Sequence, residues 1–82
     1  MKRWTPVQIV WNDAHSGVEG WTSFDHAQHA PRCIVSVGML IKDSQKGVTI
    51  ALSHDPAADT IEATGFIPRA CIVTMTELRK AP

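Results

Sequence analysis

The chain has 82 residues, 44% of them hydrophobic, and its eight Lys and Arg residues balance eight Asp and Glu residues. This length holds one domain with a small core, and the hydrophobic fraction excludes a disordered chain. The neutral charge disfavours a general binder of nucleic-acid phosphates, and no apolar stretch is long enough to cross a bilayer.

The first predicted elements are a strand and a short helix. Residues 7–11 alternate loosely in polarity, which is typical of a strand. A hydroxyl residue with an acid three positions later, Thr22 and Asp25, indicates a helix start. Pro31 prevents a long continuation. The pattern predicts one short helix near residues 23–29.

Two alternating runs in the middle of the chain predict a β-hairpin. Residues 33–41 and 48–52 place apolar side chains at every second position, and the polar segment 42–47 between them ends in glycine. We expect the uniformly apolar side of the first run to face the core. That side consists of Cys33, Val35, Val37, Met39 and Ile41.

Two further strands follow the hairpin. The connector 54–59 contains Pro56, which cannot donate to a strand ladder. Residues 60–67 then read as a fourth strand, with Gly65 marking a bend or bulge, and residues 71–76 as a fifth.

Five short strands predict a mainly β fold. A flat sheet would leave one naked face and two open edges, and curling it into a small barrel covers both. We therefore expect a single domain over residues 1–82, a small five-stranded barrel with one short helix. The ends, residues 1–6 and 77–82, are predicted to be loosely held.

The run from Gly65 to Val73 (GFIPRACIV) resembles the end of an SH3 domain, where a Gly-x-Ile-Pro strand meets a 3₁₀ turn and a closing strand. It is also similar to the second motif of Sm-like RNA-binding proteins. The resemblance implies an SH3-like (Sm-like) barrel. SH3 peptide sites also use an asparagine and a tyrosine at this turn, where Ala70 and Cys71 stand. The Sm-like Arg-Gly pair is replaced by Pro-Arg, so only Arg69 corresponds to a nucleotide-holding residue.

The pattern from Trp11 through Trp21, with the later pairs Val37-Gly38 and Ile67-Pro68, resembles small uncharacterised proteins encoded by phages. Some phage proteins of this size assemble into rings or cages, and some sequester nucleotide signals of bacterial immune systems. The resemblance implies a phage-encoded homo-oligomer in the cytoplasm of the host cell. Two cysteines and no secretory leader also favour the cytoplasm.

Five residues are candidates for binding a ligand. An exposed Trp11 or Trp21 would offer a flat ring on which a base stacks, although either could instead fill the core. Asp13 and His54 lie in predicted loops, where binding residues concentrate, and loop polarity alone also explains them. Arg69 precedes the last strand and could hold a phosphate with its planar fork, or be a plain surface arginine.

Neither a metal site nor a catalytic site is predicted. His26, His29 and Cys33 have zinc-ligand chemistry, but a structural site needs a fourth ligand, and the second cysteine, Cys71, is distant in sequence. We expect both cysteines in the core. No phosphate-binding loop or metalloprotease helix is present, and nothing completes a His–Asp pair. We therefore expect no enzyme activity and no cofactor.

The leading functional hypothesis is a non-catalytic, homo-oligomeric binding protein that forms a ring or shell and sequesters a small nucleotide-like ligand. The first alternative is an Sm-like module that binds RNA or DNA. The second is a structural or adaptor phage protein, which would present a large exposed apolar patch and take no small ligand.

Overall fold

The computed structural model describes residues 1–14, 21–27 and 29–79. Its strands are β1 (Pro6–Asp13), β2 (Arg32–Asp43), β3 (Gly47–Asp55), β4 (Thr60–Pro68) and β5 (Ile72–Glu77). Two 3₁₀ turns, η1 (Phe24–His26) and η2 (Arg69–Cys71), precede β2 and β5. The five predicted strands and the mainly β fold are confirmed. No helix among the described residues has the length and apolar character that crossing a bilayer requires.

The strands form one antiparallel sheet in the order β4-β3-β2-β1-β5. The central strand, β2, is shared unequally between its neighbours. Its ladder with β1 runs from Arg32 to Met39, whereas its ladder with β3 begins only at Met39, opposite Ala51. The first half of β2 therefore pairs with β1 alone. Beyond Ala51, β3 pairs with β4 alone.

The prediction of a closed barrel was wrong, because the sheet is open. Closure needs every strand to be paired on both sides, and β4 and β5 form the two ends of the strand order. The radius of gyration is 16.3 Å and the longest dimension 53 Å, whereas a compact domain of this length has a radius of about 12 Å. The outer part of the β3–β4 hairpin pairs only within itself, because the ladder of β3 with β2 ends at Ala51.

The core lies on one face of the sheet. Its six buried members come from four strands and are Val7, Ile9, Leu40, Val48, Ile50 and Ile67. Partly buried side chains surround them, namely Trp11, Cys71, Ile72 and Met75.

The alternation predicted for β2 is present, but the predicted inner face was the wrong one. Val7 and Ile9 of β1 lie opposite Gly38 and Ser36 of β2. A Cβ on Gly38 would lie 3.0 Å from the carbonyl oxygen of Ala51, so the core-facing side of β2 has no room for a side chain at this position. The alternate side, which includes Cys33, Val35 and Val37, is exposed. The prediction that Cys33 is in the core was therefore wrong.

The predicted α-helix near residues 23–29 is not present in the described part of that segment, which contains only the single turn η1. Ser23 caps the turn without a side-chain hydrogen bond, and Ala27 is already extended. None of the residues of η1 is buried. Two isolated helical turns are unstable in water without tertiary packing, and none of the described residues of this segment is buried against the rest of the protein.

The described end segments make backbone hydrogen bonds to the sheet. The Trp4 N–H donates to the carbonyl of Leu40 at 2.7 Å, and the Leu40 N–H donates to Thr5 at 2.8 Å. At the other end, the Leu78 N–H donates to the carbonyl of Pro6. Residues 80–82 of the second predicted loose end lie outside the described residues.

Replacing Gly47 by alanine is expected to lower the free energy of unfolding by about 2 kcal/mol or more, because overpacking is costly. The new Cβ would press on the carbonyl oxygen of Ile67 and lie 2.7 Å from Cζ of Phe66, at a φ of 156°. Urea denaturation measures the change.

The matched control is Gly65→Ala, where a Cβ meets no atom within 4 Å. Its stability should be unchanged or raised by up to about 1 kcal/mol, since alanine reduces the entropy of the unfolded chain. Equal losses for the two variants would contradict the close packing around Gly47.

Candidate ligand-binding site

The connection between β1 and β2 exposes two aromatic rings. Trp21 is 103% exposed and Phe24 is 100% exposed. Three residues with basic side chains lie near them in sequence and are exposed as well, His26, His29 and Arg32. Water contact over a whole indole ring is unfavourable, so a flat apolar partner that stacks on it is stabilised. Of the two candidate tryptophans, Trp21 therefore has its ring available to a ligand.

Trp11 has a structural environment. Its indole is half-buried against the core, and Nε1–H donates to the Ser36 hydroxyl at 3.0 Å. This bond joins the neighbouring strands β1 and β2. Asp13 is half-buried at the end of β1, opposite Arg32 in the ladder.

Arg69 connects η2 to the turn between β2 and β3. Its Nη2 donates to Oδ1 of Asp43 and, at 2.7 Å, to the carbonyl of Ser44. Its backbone N–H donates to the carbonyl of Lys46 at 3.0 Å. The guanidinium therefore holds the turn and η2 together. The role of Asp43 was missed, because no local pattern relates residues that are 26 positions apart.

His54 lies near the end of β3, on the outer part of the β3–β4 hairpin, and contacts a residue near the N-terminus. Its ring stacks on Trp4 with centroids 4.1 Å apart and an interplanar angle of 24°. Its Nε2 lies 3.3 Å from Oδ1 of Asp59. The stacking holds the N-terminal segment against the hairpin. Sequence reasoning missed Trp4, which is fifty positions away and has no pattern that connects it to His54.

The end of this hairpin also forms an open groove of about 350 Å³. Hydroxyl, carboxylate, imidazole and aliphatic groups line it, from Ser53, His54, Asp55, Thr60, Ile61 and Glu62. Oδ1 of Asp55 already accepts hydrogen bonds from the N–H groups of Ala57 and Ala58. Because the groove carries carboxylates and no Lys or Arg, it is poorly suited to a phosphate.

The structure does not bring the five candidate residues into one site. Trp11 pairs with Ile72, three positions after Arg69. Asp13 instead lies opposite Arg32 at the start of β2, whereas Arg69 bonds to Asp43 at the end of that strand. His54 lies seven residues along β3 from Gly47, which pairs with Pro68, the residue before Arg69. Seven residues of strand span roughly 23 Å, so His54 is remote from Arg69.

No three His, Cys, Asp or Glu side chains within residues 1–14, 21–27 and 29–79 come close enough together to hold a metal ion. No protein family matches the chain, and no curated protein or solved structure shows significant similarity to it. The SH3-like, Sm-like and phage resemblances therefore stay predictions from short motifs.

Arg69 and Asp43 are expected to be coupled in a double-mutant cycle. Arg69→Ala and Asp43→Ala should each lower stability, and the double variant should lose about 0.5–1 kcal/mol less than the sum, since each single change already removes the shared bond. Chemical denaturation of the four proteins measures the coupling. Glu77→Ala, placed on β5, is the control and should be additive with Arg69→Ala. Additivity in both cycles would refute the bridge.

Trp21 is expected to dominate collisional quenching of tryptophan fluorescence by iodide. Trp21→Phe should lower the quenching constant strongly, because Trp11 is half-buried and Trp4 is covered on one face by His54. Trp4→Phe is the control and should change it little. An unchanged constant in Trp21→Phe would show that the indole of Trp21 is covered in solution.

Proposed function

We propose that the protein is a non-catalytic binding protein that acts as a homo-oligomer and takes a nucleotide-like small molecule on the β1–β2 connection. The single observation that supports this most is the complete exposure of the Trp21 ring. Stacking of a base on an aromatic ring contributes about 1–3 kcal/mol and tolerates any base. Phe24, equally exposed three positions away, offers a second ring.

Arginines supply the charge that a phosphate group requires. Arg32 begins β2 directly after the connection that carries Trp21, and its side chain is exposed. Arg69 uses Nη2 for both of its side-chain bonds to the turn. Because a guanidinium has five N–H donors, the others can still serve a phosphate. The proposed ligand contacts are therefore Trp21 for the base and an arginine for the phosphate.

The charge balance favours a small ligand over a polynucleotide. Eight basic residues are offset by eight acidic ones, and binding along a nucleic-acid backbone requires a continuous basic surface. An Sm-like module for RNA or DNA is therefore the second candidate. Its supporting observation is the pair of exposed rings, which could hold successive bases of a single strand.

Self-association is the second part of the proposal. The sheet is open at β4 and β5, and unpaired strand edges promote pairing with another chain. We also infer that the fold is an opened SH3-like barrel, in which β2 is shared between two halves of the sheet. The phage origin and the cytoplasmic location stay predictions.

Isothermal titration calorimetry with adenosine monophosphate, guanosine monophosphate, a cyclic dinucleotide and a short oligothymidylate tests the ligand class. We expect binding of at least one of the first three with a weak dependence on salt. Trp21→Ala should weaken that binding about 5- to 150-fold, the range that follows from one lost stacking contact.

Trp21→Phe is the matched control, since phenylalanine keeps a ring and should retain most of the affinity. The melting temperatures of both variants should equal that of the wild type, because Trp21 is fully exposed. Binding of the oligothymidylate alone, with a steep loss at high salt, would favour the nucleic-acid module. If none of the four probes binds, the ligand part of the proposal fails and an adaptor role gains support.

A further inference from the structure

The outer part of the β3–β4 hairpin, residues 52–63, is called the arm here. It begins where β3 separates from β2, after Ala51, and its two strands pair only with each other. Leu52, on the arm, is 65% exposed, and Ile61 is exposed as well. The arm therefore carries exposed apolar side chains.

A complementary surface appears on β2 at the same place. Because β3 separates there, the first half of β2 has β1 on one side and no paired strand on the other among the described residues. Val35 and Val37 lie on this half, and both are about half exposed. The end of the β2–β3 ladder thus leaves an arm and an unpaired edge of β2 in the same chain, both beside exposed apolar side chains.

The charges of these two regions are opposite. The arm holds Asp55, Asp59 and Glu62 and no Lys or Arg, so it is acidic. The rest of the chain holds all eight basic residues and five acidic ones. Arg32 and Lys42 lie at the two ends of β2, next to the uncovered half and beyond it. Opposite charges on two regions steer them toward each other and disfavour pairing of like regions.

We propose that the partner of the arm is a second copy of this chain, which receives the arm on the first half of its own β2. The exchange is reciprocal about a twofold axis, so each copy gives one arm and receives one. This arrangement covers Leu52, Val35 and Val37 together and places the acidic arm on the basic body. The inference rests on the homo-oligomeric part of the proposed function and names the surfaces that form the contact.

A reciprocal exchange fits these observations better than pairing of two arms. Two arms side by side would bring six carboxylates together and leave β2 uncovered. In the same chain the pairing of β3 with β2 ends at Ala51, so the arm does not pair with the first half of its own β2. A second copy supplies an arm with the right charge and apolar surface for that half.

Sedimentation velocity over a range of protein and salt concentrations tests this proposal. The wild type should be a dimer or a multiple of one, and it should dissociate more readily as salt rises, since salt screens the attraction of arm and body. Leu52→Asp should raise the dissociation constant roughly 10- to 100-fold, as expected for losing the burial of a leucine. Glu62→Lys should also raise it.

Each variant has a matched control with the same chemical change outside the arm. Leu78→Asp alters an exposed leucine after β5, and Glu77→Lys reverses an acid on β5. Neither should promote dissociation as the arm variants do. Val37→Asp, on the receiving surface, should dissociate the wild-type assembly as Leu52→Asp does. Circular dichroism confirms that each variant is folded, as expected for exposed positions.

The outcomes separate this inference from the proposed function. An oligomer that Leu52→Asp, Val37→Asp and Glu62→Lys leave intact would overturn the arm exchange while the homo-oligomeric proposal stands. A wild type that is monomeric at all concentrations would overturn both the exchange and the oligomer. Nucleotide binding at Trp21 is measured separately by calorimetry, so its failure alone would leave the arm exchange supported.

Discussion

The close approach of β2 and β3 at Gly38 is the constraint on which the rest of the structure depends. A side chain there would meet the backbone of Ala51 and the side chain of Ile50. Because Gly38 has no side chain, Ile50 and the backbone of Ala51 can occupy the space over it. Val35 and Val37 alternate with Ser36 and Gly38, so they lie on the opposite face of β2, where both are exposed.

A core of six side chains leaves a large share of the organisation to contacts between distant residues. Arg69 joins η2 to the β2–β3 turn through Asp43, Trp11 joins β1 to β2 through Ser36, and Trp4 covers His54. Each contact links segments that are far apart in sequence, so each contributes only after the sheet has formed. The arm contributes no side chain to the core, and it contacts the N-terminal segment through the stacking of His54 on Trp4.

In these proposals the rings that stack on the ligand and the arm that is exchanged lie on different segments, whereas Arg32 borders both the ligand site and the receiving half of β2. The exposed rings lie on the connection between β1 and β2, whereas the acidic arm lies at the outer end of β3 and β4. The neutral net charge is the sum of an acidic arm and a basic remainder of the chain. A separated charge distribution of this kind allows copies to attract each other while the exposed aromatic rings remain accessible.

Local pattern was sufficient for the five strands, for the hairpin turn that ends at Gly47 and for the turn at Arg69, because alternation, glycine and proline act within a few residues. It could not assign the inner face of β2, since both faces of residues 33–41 contain large apolar side chains and only the packing of Val7 and Ile9 selects one. Local pattern also could not predict that the sheet is open, that the turn at Phe24 is short, or which residues His54 and Arg69 contact. These features depend on where β3 separates from β2 and on contacts between residues that are 26 to fifty positions apart in sequence. Only packing in three dimensions brings such residues together.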